Sequence, residues 1–237
     1  MEAAGYVTLS RQSGLMREMR IVANNIANAA TTGYRQEGLI FSEYVQSAPD
    51  QSSLSMSEAR VRNTSMDQGG LTQTNGSFDF AIEGDGFFLL ETPAGERLTR
   101  AGSFSPNADG DLVNPNGHRV LDSGGAPIFV PPDAADISVA ADGTISAKGR
   151  VLGQIGLVQP VDQLGMIRED GVMFRADGGF EPAEQATVLQ GFVEGSNVNA
   201  ILQVSRMIEI QRAYEMGQSF LDTEDQRIRN AVKTLIK

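Results

Sequence analysis

The sequence predicts an α+β fold: long N- and C-terminal helices packing as a coiled coil, with an inserted antiparallel β-rich domain, a small barrel or sandwich. Three patterns carry this expectation. Near the N-terminus Leu15, Met19, Val22 and Ile26 recur at spacings of four, three and four, the stripe of a helix buried along one side. Near the C-terminus Met207, Ile210, Tyr214, Gly217, Leu221, Glu224, Ile228, Ala231 and Leu235 alternate by three and four. Between them, from Phe78 on, short apolar runs recur about every 8–12 residues between Gly, Asn, Asp and Pro turns.

The first helix is expected over residues 4–30. Beside its main stripe, Met16, Ala23, Ala27 and Ala30 form a second one of smaller residues, although periodicity alone fits an ordinary core helix equally well. Its end, Asn24-Asn25-Ile26-Ala27-Asn28, holds three Asn where Leu or Glu would propagate a helix better. An amide both donates and accepts hydrogen bonds, so the cluster suits side-chain contacts rather than catalysis. Thr31-Thr32-Gly33 then supplies a stop, with a glycine able to take positive φ.

Residues 36–75 are less regular. Leu39-Ile40-Phe41 through Tyr44-Val45 fits a helix extension or a short strand; Ser47 to Ser57 reads as a polar loop; Val61, Thr64 and Met66 suggest a short strand. In the β domain, strands are expected at Phe78–Ile82, Phe87–Leu90, Arg97–Arg100, 119–121, 127–130, 137–140, 144–147, 151–158, Met173–Arg175 and Thr187–Phe192. Asn107-Ala108-Asp109-Gly110 and Asn114-Pro115-Asn116-Gly117 are turns. Asn197-Val198-Asn199 opens the second helix, 198–236, a rod of about 57 Å at about 1.5 Å per residue. Gly217 and Glu224 interrupt its seam. The shorter helix cannot cover the longer one, which leaves apolar surface for other chains.

Composition narrows the function. Thirty acidic against 19 basic residues give a net charge of −11 without any Lys/Arg run. Phosphate affinity needs clustered positive charge, so nucleic acid is not the expected partner. There is no Cys and one His, His118, which removes disulfides, cysteine nucleophiles and Cys-based zinc sites. No apolar run approaches the ~20 residues of a membrane span, and Met1-Glu2-Ala3-Ala4-Gly5 does not resemble a secretory signal. Direct membrane insertion and a cleaved signal peptide are therefore not expected.

Nor does a catalytic constellation stand out. Gly84-Asp85-Gly86 looks like a fragment of a nucleotide loop, but no third glycine follows and no helix begins there, so a tight turn is expected. Asn107, Asp109 and Asp111 lack the glycine and distal glutamate of a calcium loop. His118 stands alone in a turn. No enzyme activity, cofactor or metal is expected.

Three further stretches carry a resemblance. They are Val22-Ala23-Asn24-Asn25-Ile26-Ala27-Asn28 with Thr32-Gly33-Tyr34-Arg35; Phe80-Ala81-Ile82-Glu83-Gly84-Asp85-Gly86-Phe87-Phe88 with Leu98-Thr99-Arg100-Ala101-Gly102-Ser103-Phe104; and Glu194-Gly195-Ser196-Asn197-Val198-Asn199 with Met207-Ile208-Glu209 and Gln211-Arg212-Ala213-Tyr214-Glu215. In this order they resemble the flagellar basal-body rod and hook family of bacterial axial proteins. Tyr6-Val7, Leu9-Ser10-Arg11-Gln12 and the short length are most similar to its proximal-rod members, with distal-rod members the runner-up. A soluble binding module with a closed terminal helix bundle is the other reading.

The resemblance implies a structural subunit of the rod that assembles into a hollow helical tube and transmits motor torque. It implies partners in copies of itself, other axial rod proteins and the flagellar type III export apparatus, and a place in the periplasm-spanning basal body. It divides the chain into a terminal helical domain (1–35 and 197–237), a linking core (36–77 and 176–196) and a β-rich outer domain (78–175). Subunit contacts are expected at Leu15, Met19, Val22, Asn24, Asn25, Ile26, Asn28, Gly33, Met207, Ile210, Tyr214, Leu221, Ile228 and Leu235.

Overall fold

The computed structural model describes residues 2–48 and 51–235, with side chains described for 7–40 and 63–234. Helix α1 spans Glu2–Ala27 and helix α2 spans Ala200–Leu235. Between them run β1 (Glu37–Ala48), β2 (Gln51–Thr64), β3 (Leu71–Gln73), β4 (Phe80–Glu83), β5 (Phe87–Thr92), β6 (Gly95–Thr99), β7 (Ser105–Pro106), β8 (Leu112–Val113) and β9 (Arg119–Val120). They are followed by β10 (Ile137–Val139), β11 (Thr144–Ala147), β12 (Arg150–Gln154), β13 (Leu157–Pro160), β14 (Met166–Glu169), β15 (Met173–Ala176), β16 (Phe180–Pro182), β17 (Thr187–Gln190) and β18 (Phe192–Glu194). The chain divides into two compact units: the two helices with the β1–β2 ribbon, and residues 28–36 with 64–198. The α+β class is as the sequence predicts.

In the helical unit α1 and α2 pack side by side and antiparallel. Asn25 reaches Gln203, Glu18 pairs with Arg206, and Gln12 lies against Gly217. At about 1.5 Å per residue the 26-residue α1 is about 39 Å long and the 36-residue α2 about 54 Å. The N-terminus of α2 is capped by Asn199, whose Oδ1 accepts the N–H groups of Ile201 (3.1 Å) and Leu202 (3.2 Å). Such a cap contributes about 1 kcal/mol by satisfying donors that no helical carbonyl reaches.

Segment 36–64 departs from expectation in part. Of the two readings of Leu39 to Val45 the strand is the one that forms, but the polar loop expected at 47–57 is mostly strand, Ser47 and Ala48 ending β1 and Gln51–Ser57 lying in β2. Residues 49 and 50 lie outside the described residues. Leu54 and Met56 alternate with serines, a period of two that polar composition obscures, and two long strands paired to each other satisfy one another's backbone groups.

In the β unit a branched sheet runs in the order β14-β15-β6-β5-β9-β8-β7, with β13 pairing both β5 and β16. Strand β5 organises it. Phe88 and Leu90 point into one core with Phe80, Ile82, Phe104, Val120 and Ile145; Phe87 and Leu89 point into a second with Leu98, Val158, Met166 and Phe174. A continuous apolar run is what a strand covered on both faces requires. Edge-on ring pairs stand on each side, Phe88 with Phe104 at 5.3 Å and Phe87 with Phe174 at 5.8 Å.

The expected barrel does not close: β14 and β7, at the two ends of the path, do not pair with each other. The reason lies in three consecutive Asx loops. The Oδ1 atoms of Asn107, Asn114 and Asp122 each accept two backbone N–H groups, from the residues two and four positions on, at 2.8–3.0 Å. Each loop has a glycine at positive φ three positions on, Gly110, Gly117 and Gly125. These loops reverse the chain after two-residue strands, too short to wrap a sheet onto itself. They also account for the Asn107–Asp111 pattern, since Asn107 caps its own loop.

Candidate assembly site

Within the β unit, the most buried polar cluster is an ion triad. Glu194 Oε1 lies 2.9 Å from Arg35 Nη2 and Glu194 Oε2 lies 3.0 Å from Arg100 Nη1, with all three side chains at most 2% exposed. Glu194 Oε1 also accepts the Gly69 N–H at 2.9 Å. Two cations face one anion, and backbone carbonyls take the remaining donors: Arg35 donates to Met66 and Asp67, and Arg100 to Ile82 (3.2 Å) and Gly84 (2.6 Å). Arg100 also lies 5.4 Å above the Phe87 ring. One carboxylate thereby holds five stretches of chain.

Burial pulls the Arg100 guanidinium down to about 10, against the opposing pull of Glu194, and lowers Arg35 for the same first reason. At about 10, Arg100 stays charged at neutral pH. Neither Nε has a protein partner. The cluster is therefore rigidly over-determined around its carboxylate and costly to break.

The turn beside it is equally constrained. Gly33 has φ +71° and donates its N–H to the Glu194 carbonyl at 2.8 Å. A Cβ there would stand 2.2 Å from the Ala101 nitrogen, so only glycine fits. Arg168 donates to the Arg35 carbonyl and lies between two rings, 4.4 Å from Tyr34 and 4.6 Å from Phe174. Asn197 accepts the Gln36 N–H at 2.6 Å and donates to the Asp67 carbonyl at 2.8 Å.

In the helical unit the expected contact residues fall into three groups. Val22 and Ile210 are buried, while Leu15, Met19, Ile26, Met207, Tyr214 and Leu221 are half-buried along the α1–α2 seam. Asn25 is 1% exposed and turned inward: its Nδ2 donates to the Glu37 carbonyl (2.8 Å) and to Gln203 (3.3 Å), and its Oδ1 accepts the Glu37 N–H (3.0 Å). That amide stands in for a strand neighbour at the start of β1. Asn24 and Ile228 are exposed. In the β unit Asn28 is half-buried and accepts from Thr31 at 3.1 Å, and Gly33 is buried. Leu235 ends α2, and its side chain lies outside the described residues.

A broad apolar surface remains on α2. Ile201 (79% exposed), Leu202, Val204, Ile208, Met216 and Phe220 all face outward, and every described residue from Asp225 to Thr234 is exposed. Among the described residues no cluster of His, Asp and Glu is placed to hold a metal ion, and no helix is long and apolar enough to cross a membrane.

The triad is what sequence reasoning missed. Arg35, Arg100 and Glu194 each stand in one of the three stretches that carry the resemblance, but Arg100 and Glu194 are 94 positions apart and nothing local pairs them. No local pattern marks them: each stands near a glycine, as do Glu83 and Asp85, which lie outside the triad.

Comparison with known proteins agrees with this convergence. Residues 6–35 match the family described as flagella basal body rod protein, residues 81–147 the flagellar hook protein FlgE/F/G D1 domain, and residues 189–234 the flagellar basal body rod FlgEFG protein C-terminal region. The chain is 39% identical to the flagellar basal-body rod protein FlgF of Caulobacter vibrioides, covering 100% of this chain and 99% of that one. It is 37% identical to the FlgF protein of Mesorhizobium japonicum, over 99% and 98%. With the basal-body rod protein FlgG of Agrobacterium fabrum it shares 33% identity over 88% and 90%. The chain belongs to the flagellar basal-body rod protein family.

Proposed function

We infer that this chain is a structural, non-enzymatic subunit of the flagellar basal-body rod, of the FlgF-like kind. Fuller coverage and higher identity favour FlgF-like over FlgG-like relatives. The finer reading is that the terminal helices form a coiled-coil layer with copies and other axial proteins in a hollow tube that carries motor torque. Export through the flagellar type III apparatus, in place of a cleaved signal, belongs to the same reading. So does the division into terminal helices (1–35, 197–237), linking core (36–77, 176–196) and outer β domain (78–175).

One observation supports it above the others: α2 presents Ile201, Leu202, Val204 and Ile208 to solvent along its first turns, together with Met216 and Phe220 further on. So much apolar side chain on one helix is stable in water only if another chain covers it. The closed-bundle alternative would have buried it.

The test uses Ile201→Asp and Met216→Asp in a strain lacking the native gene. Both positions are exposed, so the isolated chain should fold as before, while motility and incorporation into purified basal bodies should be lost. Normal motility from both variants would refute the reading. Ile26→Asp and Leu221→Asp should also abolish assembly, but they add a charge to the half-buried seam and so disturb the helix pair itself.

A further inference from the structure

Each helix of the α1–α2 pair carries an exposed row of residues spaced by seven. On α1 it is Ser13, Arg20 and Ala27; on α2 it is Ile208, Glu215 and Asp222, with Ile201 one repeat earlier. Seven residues make nearly two turns, so each row runs almost straight along its helix. Both rows turn away from the seam where Val22 and Ile210 are buried. Among the described residues no ion-pair partner reaches Arg20, Glu215 or Asp222, whereas Glu224 and Asp225 are tied to Arg227 and Arg229.

A row that faces away from its own partner helix can be matched only by another chain. We propose that the α1 row of one copy lies antiparallel on the α2 row of a second copy, setting Ala27 against Ile208, Arg20 against Glu215 and Ser13 against Asp222. The proposal rests on the rod-subunit reading and names one contact within it. The antiparallel sense follows from the chain itself. Copies that all point one way along a rod bring the α1 of one to the α2 of the next in the opposed sense found within the chain.

Three observations select a second copy and this register. First, the signs are complementary: from Val7 to Ala27 α1 carries Arg11, Arg17 and Arg20 against one acid, Glu18, which pairs with Arg206. From Ala213 to Asp225 α2 carries Glu215, Asp222, Glu224 and Asp225 and no Arg or Lys. Arg212, just outside that stretch, falls opposite Ala23 and Asn24, where α1 has no charge. Second, the small side chain of Ala27 leaves room for the branched Ile208, so apolar meets apolar. Third, sliding the helices by one repeat puts Arg20 opposite Ile208, or Ala27 opposite Glu215, so a single register matches the rows throughout. The contact joins two different faces of the chain and is heterologous. It extends to a ring or a helix of copies rather than closing as a symmetric dimer.

The chain has no cysteine, so single-cysteine forms report on the contact. Separately tagged Ala27→Cys and Ile208→Cys chains are co-expressed in a strain lacking the native gene, and purified basal bodies are oxidised. A disulfide needs Cα atoms about 4.4–6.8 Å apart. A crosslink joining the two tags is therefore expected for this pair and not for Ala27→Cys with Glu215→Cys, which is displaced by about 10 Å. Both forms present in basal bodies without the crosslink, or with more of it in the displaced pair, overturn the proposal and leave the rod reading standing. Unsubstituted chain absent from basal bodies overturns both.

Charge exchange supplies an independent readout. Arg20→Glu and Glu215→Arg each set like charges across the contact and should lower incorporation about tenfold. The isolated chain should melt as before, since both positions are exposed. The double variant restores the pair between copies and should recover incorporation. Single variants that incorporate normally, or a double variant no better than either single, overturn the proposal.

Discussion

Replacing Glu194 by Gln tests whether the ion triad holds the β unit together. The substitution keeps the shape of the side chain and removes the charge. It leaves Arg35 and Arg100 facing each other with no anion, and turns an amide N–H₂ toward guanidinium donors that had met carboxylate oxygens at 2.9 and 3.0 Å. Breaking a buried pair by deleting one partner costs about 3–5 kcal/mol, against a total domain stability of about 5–15 kcal/mol. With a urea m-value of about 2 kcal/mol/M, the midpoint should fall by about 2 M at unchanged m. Urea unfolding would be followed by far-UV circular dichroism and by the near-UV signal of buried Tyr34, since the chain has no Trp. Glu169→Gln is the control. Glu169 bridges Arg97 and Arg175 with 32% of its side chain exposed, and its loss should cost no more than about 1 kcal/mol. The triple variant Arg35→Met, Glu194→Leu, Arg100→Met should recover part of the loss, because it strands no charge. A Glu194→Gln midpoint equal to that of Glu169→Gln would refute the assignment.

Other expectations are simpler. Asn25→Ala removes both hydrogen bonds to Glu37 and should destabilise the helical unit by about 2 kcal/mol in thermal unfolding monitored by circular dichroism. Gly33→Val should cost about 3 kcal/mol or prevent folding, read as a lower melting temperature or insoluble expression, because positive φ and the approach of Ala101 both exclude a side chain. For pH, the folded value of Arg100 lies below the ordinary guanidinium value, so the unfolded chain binds the proton more tightly. Its effect on stability is then constant below the folded value of about 10 and rises only above it. Denaturation midpoints between neutral and mildly alkaline pH should show no slope that Arg100→Met removes. Dilute monomer should be trimmed early by protease within the terminal helices, leaving a core of about residues 28–198 that retains Arg35 and Glu194, because the terminal helices lack their partner surfaces.

The helices were legible because one long period repeats in each. Gln203, Met207, Ile210, Tyr214, Gly217, Leu221 and Glu224, the covered side of α2, follow the alternation by three and four that the bare sequence displays. The β1–β2 ribbon was hidden because serine-rich strands read as loop when composition is weighed above alternation. The barrel expectation failed on a different point. Strand positions can be read from apolar runs and turns, but closure depends on which edges pair, and β5 branching to both β9 and β13 leaves no local trace.

The amide and ion contacts show where reading residue by residue stops. Asn25 was legible as a misfit in a helix, and the misfit is resolved inside the chain by Glu37 twelve positions away, not at its surface. Gly217 was legible as a break in the seam, and the break accommodates Gln12. Arg35, Arg100 and Glu194 gave no misfit at all, since each is an ordinary charged residue in its own stretch. What joins them is the burial of a single carboxylate, and burial is a property of the folded chain. The same logic locates the functional surface. A buried charge can be satisfied only where the chain folds on itself, whereas the apolar side chains left on α2 can be satisfied only by another chain. Stability is thus concentrated in the β unit around Glu194, while in the proposed reading assembly is left to the helices. Glu194→Gln should accordingly lower stability in the free chain, while Ile201→Asp should leave the free chain intact and abolish the rod.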